Sequence, residues 1–149
     1  MSGSRPLKLL IVEDDPHLRS LLIAAAERSG CFGPVQAAHD GQEAIERLTP
    51  GPGAVPSPLP DYILTDLSMP RMDGVQLIHA LKRSPRWRDI PIAVMTSSNR
   101  PNDREDATAA GCCAFFYKPA RLEEMATLIG SLPRICGVSA SVHSPPHGS

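Results

Sequence analysis

Five residues that lie far apart in the chain carry side chains that could do chemistry together. They are the adjacent acids Glu13 and Asp14, the lone acid Asp66, the hydroxyl of Thr96 and the ammonium group of Lys118. Each ends or follows a short apolar run, where a buried strand is expected to stop. Carboxylates brought close together raise each other's pKa values unless a cation lies among them, and an oxygen-only cluster suits Mg²⁺. The five residues therefore predict a magnesium site.

Asp66 is the member of this set that could form a covalent bond with a substrate. Mg²⁺ binds phosphoryl oxygens, and Lys118 and the Thr96 hydroxyl could bind the remaining ones. One carboxylate oxygen of Asp66 could then attack phosphorus in line, which would give an aspartyl phosphate. The alternative is that Asp66 only caps a turn, as an isolated Asp after a strand often does. The choice depends on whether the fold brings the other four residues to Asp66.

The segments that would carry these residues are short strands alternating with helices. Apolar and β-branched runs predict strands over residues 8–12, 35–38, 62–65, 90–96 and 114–117. Helical spacing and capping residues predict helices at about 16–29, 41–48, 75–84, 101–110 and 122–132. Each strand is thus followed by a helix, five times in succession.

This alternation predicts an α/β fold with one parallel sheet. Strands too apolar to be half exposed need helices on both faces, and right-handed crossovers favour a doubly wound, five-stranded sheet of order 2-1-3-4-5. The carboxyl ends of all five strands then lie at one edge, where the chemically active residues would meet. We expect one domain over residues 7–132, flexible termini at 1–6 and 133–149, and an exposed proline-rich loop at 49–60.

Composition excludes several other classes of protein. The 149 residues carry a formal net charge of −1, so no overall field attracts the chain to nucleic acid or to an anionic membrane. The longest apolar run, at 21–26, is too short to cross a bilayer, and residues 1–6 lack the apolar stretch of a secretion signal. A cytoplasmic protein is therefore expected. The four cysteines lack metal-site spacing and two are adjacent, which favours reduced thiols.

The five residues, together with the run from Met69 to Gly74 after the lone acid, resemble the receiver domain of two-component response regulators. The resemblance covers about residues 7–132 and implies the flavodoxin-like receiver fold. It also implies the metal ligands. Glu13 and Asp14 would form the acidic pair, with Asp14 binding Mg²⁺ directly. Asp66 would be the phosphoacceptor and second ligand, and the backbone carbonyl of Ser68 the third.

The resemblance further implies a switch that responds to the phosphoryl group. Thr96 would be the switch hydroxyl, Phe115 the switch aromatic and Lys118 the phosphate-binding lysine. The peptide bond before Pro119 would be cis. An alternative for Phe115 is that it is a plain core aromatic beside Phe116.

The resemblance also implies partners. The residues after Pro133 are too few and too polar for a helix-turn-helix, which favours a stand-alone receiver without direct nucleic-acid contact. Its partners would be a sensor histidine kinase and a downstream protein target or phosphotransfer protein. The segments 96–99 and 118–123 also resemble regulators that partner phytochrome-type histidine kinases, and members of that group often form homodimers.

Three functions remain open at this point. The first is a switch that accepts a phosphoryl group on Asp66 and signals by phosphorylation-dependent binding. The second is a phosphate shuttle or sink in a phosphorelay, and the third is an interaction module that ignores phosphorylation. In the first two the chain would not be a conventional enzyme, since it would catalyse its own Mg²⁺-dependent phosphorylation and dephosphorylation.

Overall fold

Strands and helices alternate along the chain in the computed structural model, which describes residues 6–54 and 58–137. The strands are β1 (Leu7–Val12), β2 (Phe32–Ala38), β3 (Tyr62–Thr65), β4 (Ile92–Thr96) and β5 (Ala114–Tyr117). The helices are α1 (Pro16–Ser29), α2 (Gly41–Leu48), α3 (Gly74–Lys82), α4 (Asp103–Ala110), α5 (Leu122–Gly130) and α6 (Leu132–Cys136). None of the helices in the described ranges is long and apolar enough to cross a membrane.

The strands form one parallel sheet in the order β2-β1-β3-β4-β5, which confirms the predicted topology. Its register determines which residues meet at the carboxyl edge. Val12 of β1 pairs with Thr65 of β3, so the acids that follow them lie side by side. Thr96 of β4 pairs with Tyr117 of β5, which brings Lys118 to the same edge.

Side chains of the sheet alternate between two core layers, as the period of a strand requires. In β1, Leu10 and Val12 pack beneath α2, α3 and α4, whereas Leu9 and Ile11 pack beneath α1 and α5. All four are at most 1% exposed. Because both of their faces are covered, β1, β3 and β4 are almost continuously apolar, which is the pattern that predicted them.

The proline-rich segment follows α2. Residues 49–54 and 58–61 contain neither helix nor strand, in agreement with the predicted loop, and residues 55–57 lie outside the described ranges. Leu59 is partly buried against the core layer beneath α2, α3 and α4, so the loop is anchored to the domain at this point.

The end of the domain differs from the prediction. Helix α5, predicted to extend to about residue 132, ends at Gly130. The short helix α6 (Leu132–Cys136) follows it, where a flexible terminus from residue 133 was expected. Leu132 is fully buried in the layer beneath α1 and α5, so burial of this side chain holds the segment to the domain. The expectations for residues 1–5 and 138–149 lie outside the described residues.

The prediction of reduced thiols is wrong for two of the four cysteines. Cys113 and Cys136 form a disulfide, with their Cα atoms 5.6 Å apart, while Cys31 and Cys112 are free. The partner of Cys113 was hidden because α6 was not foreseen, and only that helix returns Cys136 to the start of β5.

The expectation of a cis bond before Pro119 is also wrong, because the peptide bonds of the described residues are trans. The Lys118 backbone N–H donates to the Thr96 carbonyl at 2.9 Å, which extends the β4–β5 pairing to this residue. The chain leaves the sheet through a trans bond with the Lys118 side chain already directed at the acids.

Candidate functional site

The edge where β1, β3 and β5 end holds a buried ionic group. Lys118 Nζ donates to Glu13 Oε1 at 2.7 Å and to Asp66 Oδ2 at 2.9 Å. Glu13 is 1% exposed and Asp66 is 7% exposed, so the contacts are largely removed from solvent. Residues 13, 66 and 118, which were expected at one edge, are therefore in direct contact.

Asp14 completes an acidic cluster at this edge. One carboxylate oxygen each from Glu13, Asp14 and Asp66 can be chosen so that all three lie within 4.8 Å of one another. Asp14 is exposed, whereas the other two acids are buried. Hard cations such as Mg²⁺ take oxygen ligands and retain several waters, so a cluster with one side open to solvent fits such an ion.

Burial and charge act on Glu13 and Lys118 in opposite ways. Burial raises the pKa of Glu13 to about 7, with a smaller contribution from Asp66, and the hydrogen bond from Lys118 only partly offsets this. Burial would lower the pKa of Lys118, but its hydrogen bonds to Glu13 and Asp66 outweigh that effect and the net shift is upward. Lys118 is therefore an ammonium ion at neutral pH, whereas Glu13 titrates near neutrality when no cation is bound.

Both oxygens of Asp66 are held in place. Oδ1 accepts a hydrogen bond from the Leu67 N–H at 2.6 Å and a longer one from the Ser68 N–H at 3.4 Å, while Oδ2 accepts from Lys118. Asp66 therefore does both: Oδ1 caps the turn, which was the alternative considered for this residue, and Oδ2 makes the ionic contact with Lys118. A single orientation of the carboxylate serves both.

The loop after Asp66 returns tightly to the strand end. The Gly74 N–H donates to the Leu67 carbonyl at 2.8 Å. A Cβ atom at position 74 would lie 2.3 Å from the Asp66 carbonyl oxygen, which explains why only glycine fits there. Ser68, whose backbone carbonyl was assigned to the metal by resemblance, lies within this loop and is exposed.

Thr96 lies at the end of β4 and is fully buried. In the described part of the chain its hydroxyl accepts a hydrogen bond from the Ser98 N–H at 3.1 Å, rather than bonding to Asp66 or Lys118. The hydroxyl hydrogen is therefore free to donate elsewhere. The Ser98 hydroxyl in turn donates to the carboxylate of Asp103, which connects the end of β4 to the first residue of α4.

Phe115 is buried and packs edge to face against the half-exposed Tyr117, with ring centroids 5.4 Å apart. The Arg104 guanidinium lies 4.8 Å from the centroid of Phe115 and 5.8 Å from that of Tyr117. Phe115 contributes to one core layer and Phe116 packs against the other. The inward position of Phe115 is compatible both with a switch aromatic and with the plain core aromatic considered as the alternative.

Sequence reasoning missed the residues around these groups. Arg104 and Tyr117 were not singled out, although the alternation of β5 places residue 117 on the same face as Phe115. Arg71 was also missed. Its side chain pairs with Asp40, the residue that precedes α2. No short-range pattern links positions 31 residues apart.

Comparison with known proteins extends these observations. A family model described as the response regulator receiver domain matches residues 9–130. The probable methanogenesis regulatory protein FilR2 of Methanothrix harundinacea is 33% identical over 125 residues, which cover 84% of this chain and 80% of that protein. The phosphate regulon transcriptional regulatory protein PhoB of Escherichia coli is 32% identical over 127 residues, covering 85% of this chain and 52% of PhoB. The chain thus spans about half the length of PhoB.

A solved structure with the same architecture is that of the phosphorylated cyanobacterial phytochrome response regulator RcpA. It superposes with a TM-score of 0.76 at 25% sequence identity, over 87% of this chain and 93% of that chain. The family match covers residues 9–130, which include all or most of each strand of the sheet and the acidic cluster at its edge.

Proposed function

The chain belongs to the response regulator receiver domain family, and from this premise we propose that it accepts a phosphoryl group from a sensor histidine kinase on Asp66. In this proposal it signals through phosphorylation-dependent binding to a protein target. The observation that carries the proposal is the contact of Lys118 with Asp66 Oδ2 inside an acidic cluster at the edge of the sheet.

The residues at this edge fit Mg²⁺. Asp14, Asp66 and the backbone carbonyl of Ser68 would hold the ion, and Glu13 would complete the acidic pair. All are oxygen donors, and exposed Asp14 leaves room for waters and phosphoryl oxygens. When bound, the ion would neutralise negative charge on the carboxylates and on the phosphoryl oxygens.

The chemical step follows from the position of Asp66. A carboxylate oxygen attacks phosphorus, an oxygen–phosphorus bond forms, and the nitrogen–phosphorus bond of the phosphohistidine breaks with the imidazole as leaving group. Lys118 already lies 2.9 Å from Asp66, so it can donate to a phosphoryl oxygen after a small movement. Hydrolysis by water would later release phosphate and regenerate the carboxylate.

Signalling would begin at Thr96. Its hydroxyl can donate to a phosphoryl oxygen, and this movement would change the packing around Phe115, α4 and β5. Shifting a two-state switch from mostly off to mostly on requires roughly 5 kcal/mol of differential stabilisation. Several charge-assisted hydrogen bonds from Lys118, Thr96 and backbone N–H groups are of the right order to supply it.

The proposed partners follow from the family and from similarity to RcpA. The kinase would be a sensor histidine kinase, and the RcpA similarity favours a phytochrome-type kinase. The chain would act in the cytoplasm, and a homodimer is part of this proposal. Its output would be protein binding or onward phosphotransfer rather than direct contact with nucleic acid.

Phosphorylation can be tested directly. The chain is incubated with Mg²⁺ and acetyl phosphate, or with a phosphorylated histidine kinase, and the intact mass is measured. We expect the added mass of one phosphoryl group, absent from Asp66→Asn and present in Asp106→Asn, an exposed acid on α4. No adduct, or an adduct that survives Asp66→Asn, would refute the proposal. Signalling predicts a long-lived phosphoryl adduct and a partner protein that binds only the phosphorylated chain. A phosphate sink predicts rapid hydrolysis of the adduct and no such partner.

A further inference from the structure

Asp40 and Arg71 join two loops that are separate in sequence. Arg71 Nε and Nη2 lie 2.9 and 2.7 Å from the same oxygen, Asp40 Oδ2. Asp40 ends the turn between β2 and α2, and Arg71 lies in the loop that follows Asp66. The Asp40 side chain is 3% exposed, so the carboxylate is anchored in the domain while the exposed guanidinium reaches to it.

Asp40 is also fixed from the other side. Its Oδ1 accepts a hydrogen bond from the Glu43 N–H at 2.8 Å and so caps α2. Burial would raise the pKa of Asp40, but the Glu43 N–H and Arg71 outweigh it and lower the pKa. His39 Nδ1 lies 3.3 Å from Oδ2 and is a further neighbour of this oxygen. The carboxylate is therefore ionised at neutral pH and its position is set by the helix end.

The backbone at Arg71 has a conformation that requires support. Its φ is 66°, the one positive value among the non-glycine residues described. A non-glycine residue in this region costs on the order of 1 kcal/mol and persists where surrounding contacts hold it. A Cβ atom at Gly41 would lie 2.9 Å from Met72 Cγ, so the start of α2 packs closely against the residue that follows Arg71.

The loop held in this way is the one that leads from Asp66 to α3. Its far end is closed by the Gly74 N–H bond to the Leu67 carbonyl. Ser68 lies between Leu67, the acceptor of that bond, and Arg71, and its N–H reaches Asp66 Oδ1 at 3.4 Å. A shift of the loop would therefore move both the Ser68 carbonyl and the carboxylate at the acidic cluster.

We propose that Asp40 and Arg71 are positioning residues for the cation site, because their ion pair holds the Asp66–Gly74 loop in the shape that presents the Ser68 carbonyl. This inference rests on the proposed function. Neither residue touches the cluster, so the pair acts through the loop backbone. Groups that orient ligands without binding the metal typically change metal affinity by about tenfold or more.

The experiment measures Mn²⁺ binding to the full chain by calorimetry, with no phosphoryl donor present. Arg71→Gly removes the guanidinium, and glycine adopts the positive φ without strain, so the variant introduces no steric conflict in the backbone. Asp40→Asn keeps a capping oxygen and removes the charge. We expect each variant to bind Mn²⁺ about tenfold more weakly than the unaltered chain. The double variant should bind no more weakly than either single variant, because both changes break the same contact.

A matched control comes from the same helix. Arg47 Nη2 lies 3.3 Å from Glu43 Oε2, and this ion pair does not include a residue of the loop. Arg47→Ala should leave the Mn²⁺ affinity unchanged. Arg71→Lys should bind Mn²⁺ with an intermediate affinity, since lysine keeps the charge but cannot make the two-atom contact with Asp40. If Arg71→Gly does not unfold cooperatively, Arg71→Lys replaces it as the deciding variant.

A kinetic measurement distinguishes positioning from chemistry. With acetyl phosphate as donor, Arg71→Gly should raise the apparent KM for Mg²⁺ about tenfold, with the rate at saturating Mg²⁺ within about twofold of the unaltered chain. Variants that bind Mn²⁺ as tightly as the unaltered chain would overturn the inference, even if phosphorylation occurs. An unaltered chain that binds Mn²⁺ but accepts no phosphoryl group would overturn the proposed function alone. No Mn²⁺ binding by the unaltered chain would overturn both.

Discussion

Glu13→Gln should make the cation-free protein more stable at pH 8, although it removes one partner of a buried ion pair. In the folded chain the pKa of Glu13 is raised from 4.5 to about 7, first by burial and then by the charge of Asp66. The unfolded chain has no such environment. Each pH unit between the two pKa values corresponds to 1.36 kcal/mol, so ionising the buried carboxyl costs the folded state about 3 kcal/mol.

The sign of the effect follows from proton binding. Between pH 4.5 and about 7 the folded state holds a proton on Glu13 that the unfolded state has lost. Stability from this group is therefore complete below pH 4.5 and is lost as the pH rises through 7. Gln carries no charge at any pH, and its side-chain oxygen can still accept the hydrogen bond that Lys118 makes at 2.7 Å. Lys118 also retains Asp66 as an ionic partner.

Since the variant weakens the ionic environment of Lys118, part of the 3 kcal/mol is offset. We expect a net gain of roughly 1–3 kcal/mol in the free energy of unfolding at pH 8, and this gain should disappear below about pH 4.5. Urea unfolding with EDTA present, followed by Trp87 fluorescence at several pH values, measures this difference. Glu123→Gln is the control, because Glu123 is an exposed acid paired with Arg28 and should change stability by less than about 1 kcal/mol. A variant that is several kcal/mol less stable than the unaltered chain at pH 8 would refute the reasoning.

Three further predictions concern other parts of the domain. Because the pKa of Asp40 is lowered, its contribution to stability is present above its ordinary pKa of 3.8 and is lost as the pH falls further. In Asp40→Asn, the free energy of unfolding should therefore depend less on pH below about pH 4, as followed by circular dichroism. Cys136→Ser should lower the free energy of unfolding by about 3 kcal/mol, since the disulfide closes a loop with a sequence separation of 23, whereas Cys31→Ser should leave chemical unfolding nearly unchanged. Arg104→Ala should cost about 1 kcal/mol through loss of the cation–π contact with Phe115, measured by the same unfolding assay.

The fold and the central site could be inferred because their signals are local or are shared by many strands. A strand covered on both faces is apolar along most of its length, so the apolar runs at β1, β3 and β4 predict buried strands directly. The sheet order then follows from crossover handedness and loop length, and the shared edge brings residues 13, 66 and 118 together. None of these steps needs a particular side-chain rotamer.

What could not be inferred depends on contacts between distant segments. The helix α6 is only five residues long, and its stability comes from Leu132 in the core and the bond from Cys136 to Cys113 rather than from helical propensity. The Asp40–Arg71 pair depends on a positive φ at residue 71. Arginine has no special preference for that conformation, so only the folded chain reveals it.

The charges at the acidic edge indicate which contact must change when a phosphoryl group arrives. In the described structure one ammonium group, on Lys118, faces the carboxylates of Glu13 and Asp66, with Asp14 beside them in solvent. A phosphoryl group on Asp66 adds nearly two negative charges next to that single ammonium group. Lys118 cannot donate fully to the phosphoryl oxygens and keep both present contacts, because its three donors would be shared among more acceptors. The Glu13 contact is the one with an alternative, since Glu13 belongs to the acidic cluster that would face the bound Mg²⁺, and this ion would take over from Lys118 as its cationic neighbour. The Lys118–Glu13 bond is therefore the contact expected to lengthen on phosphorylation, and the nitrogen chemical shift of the Lys118 ammonium in the two states would report the change.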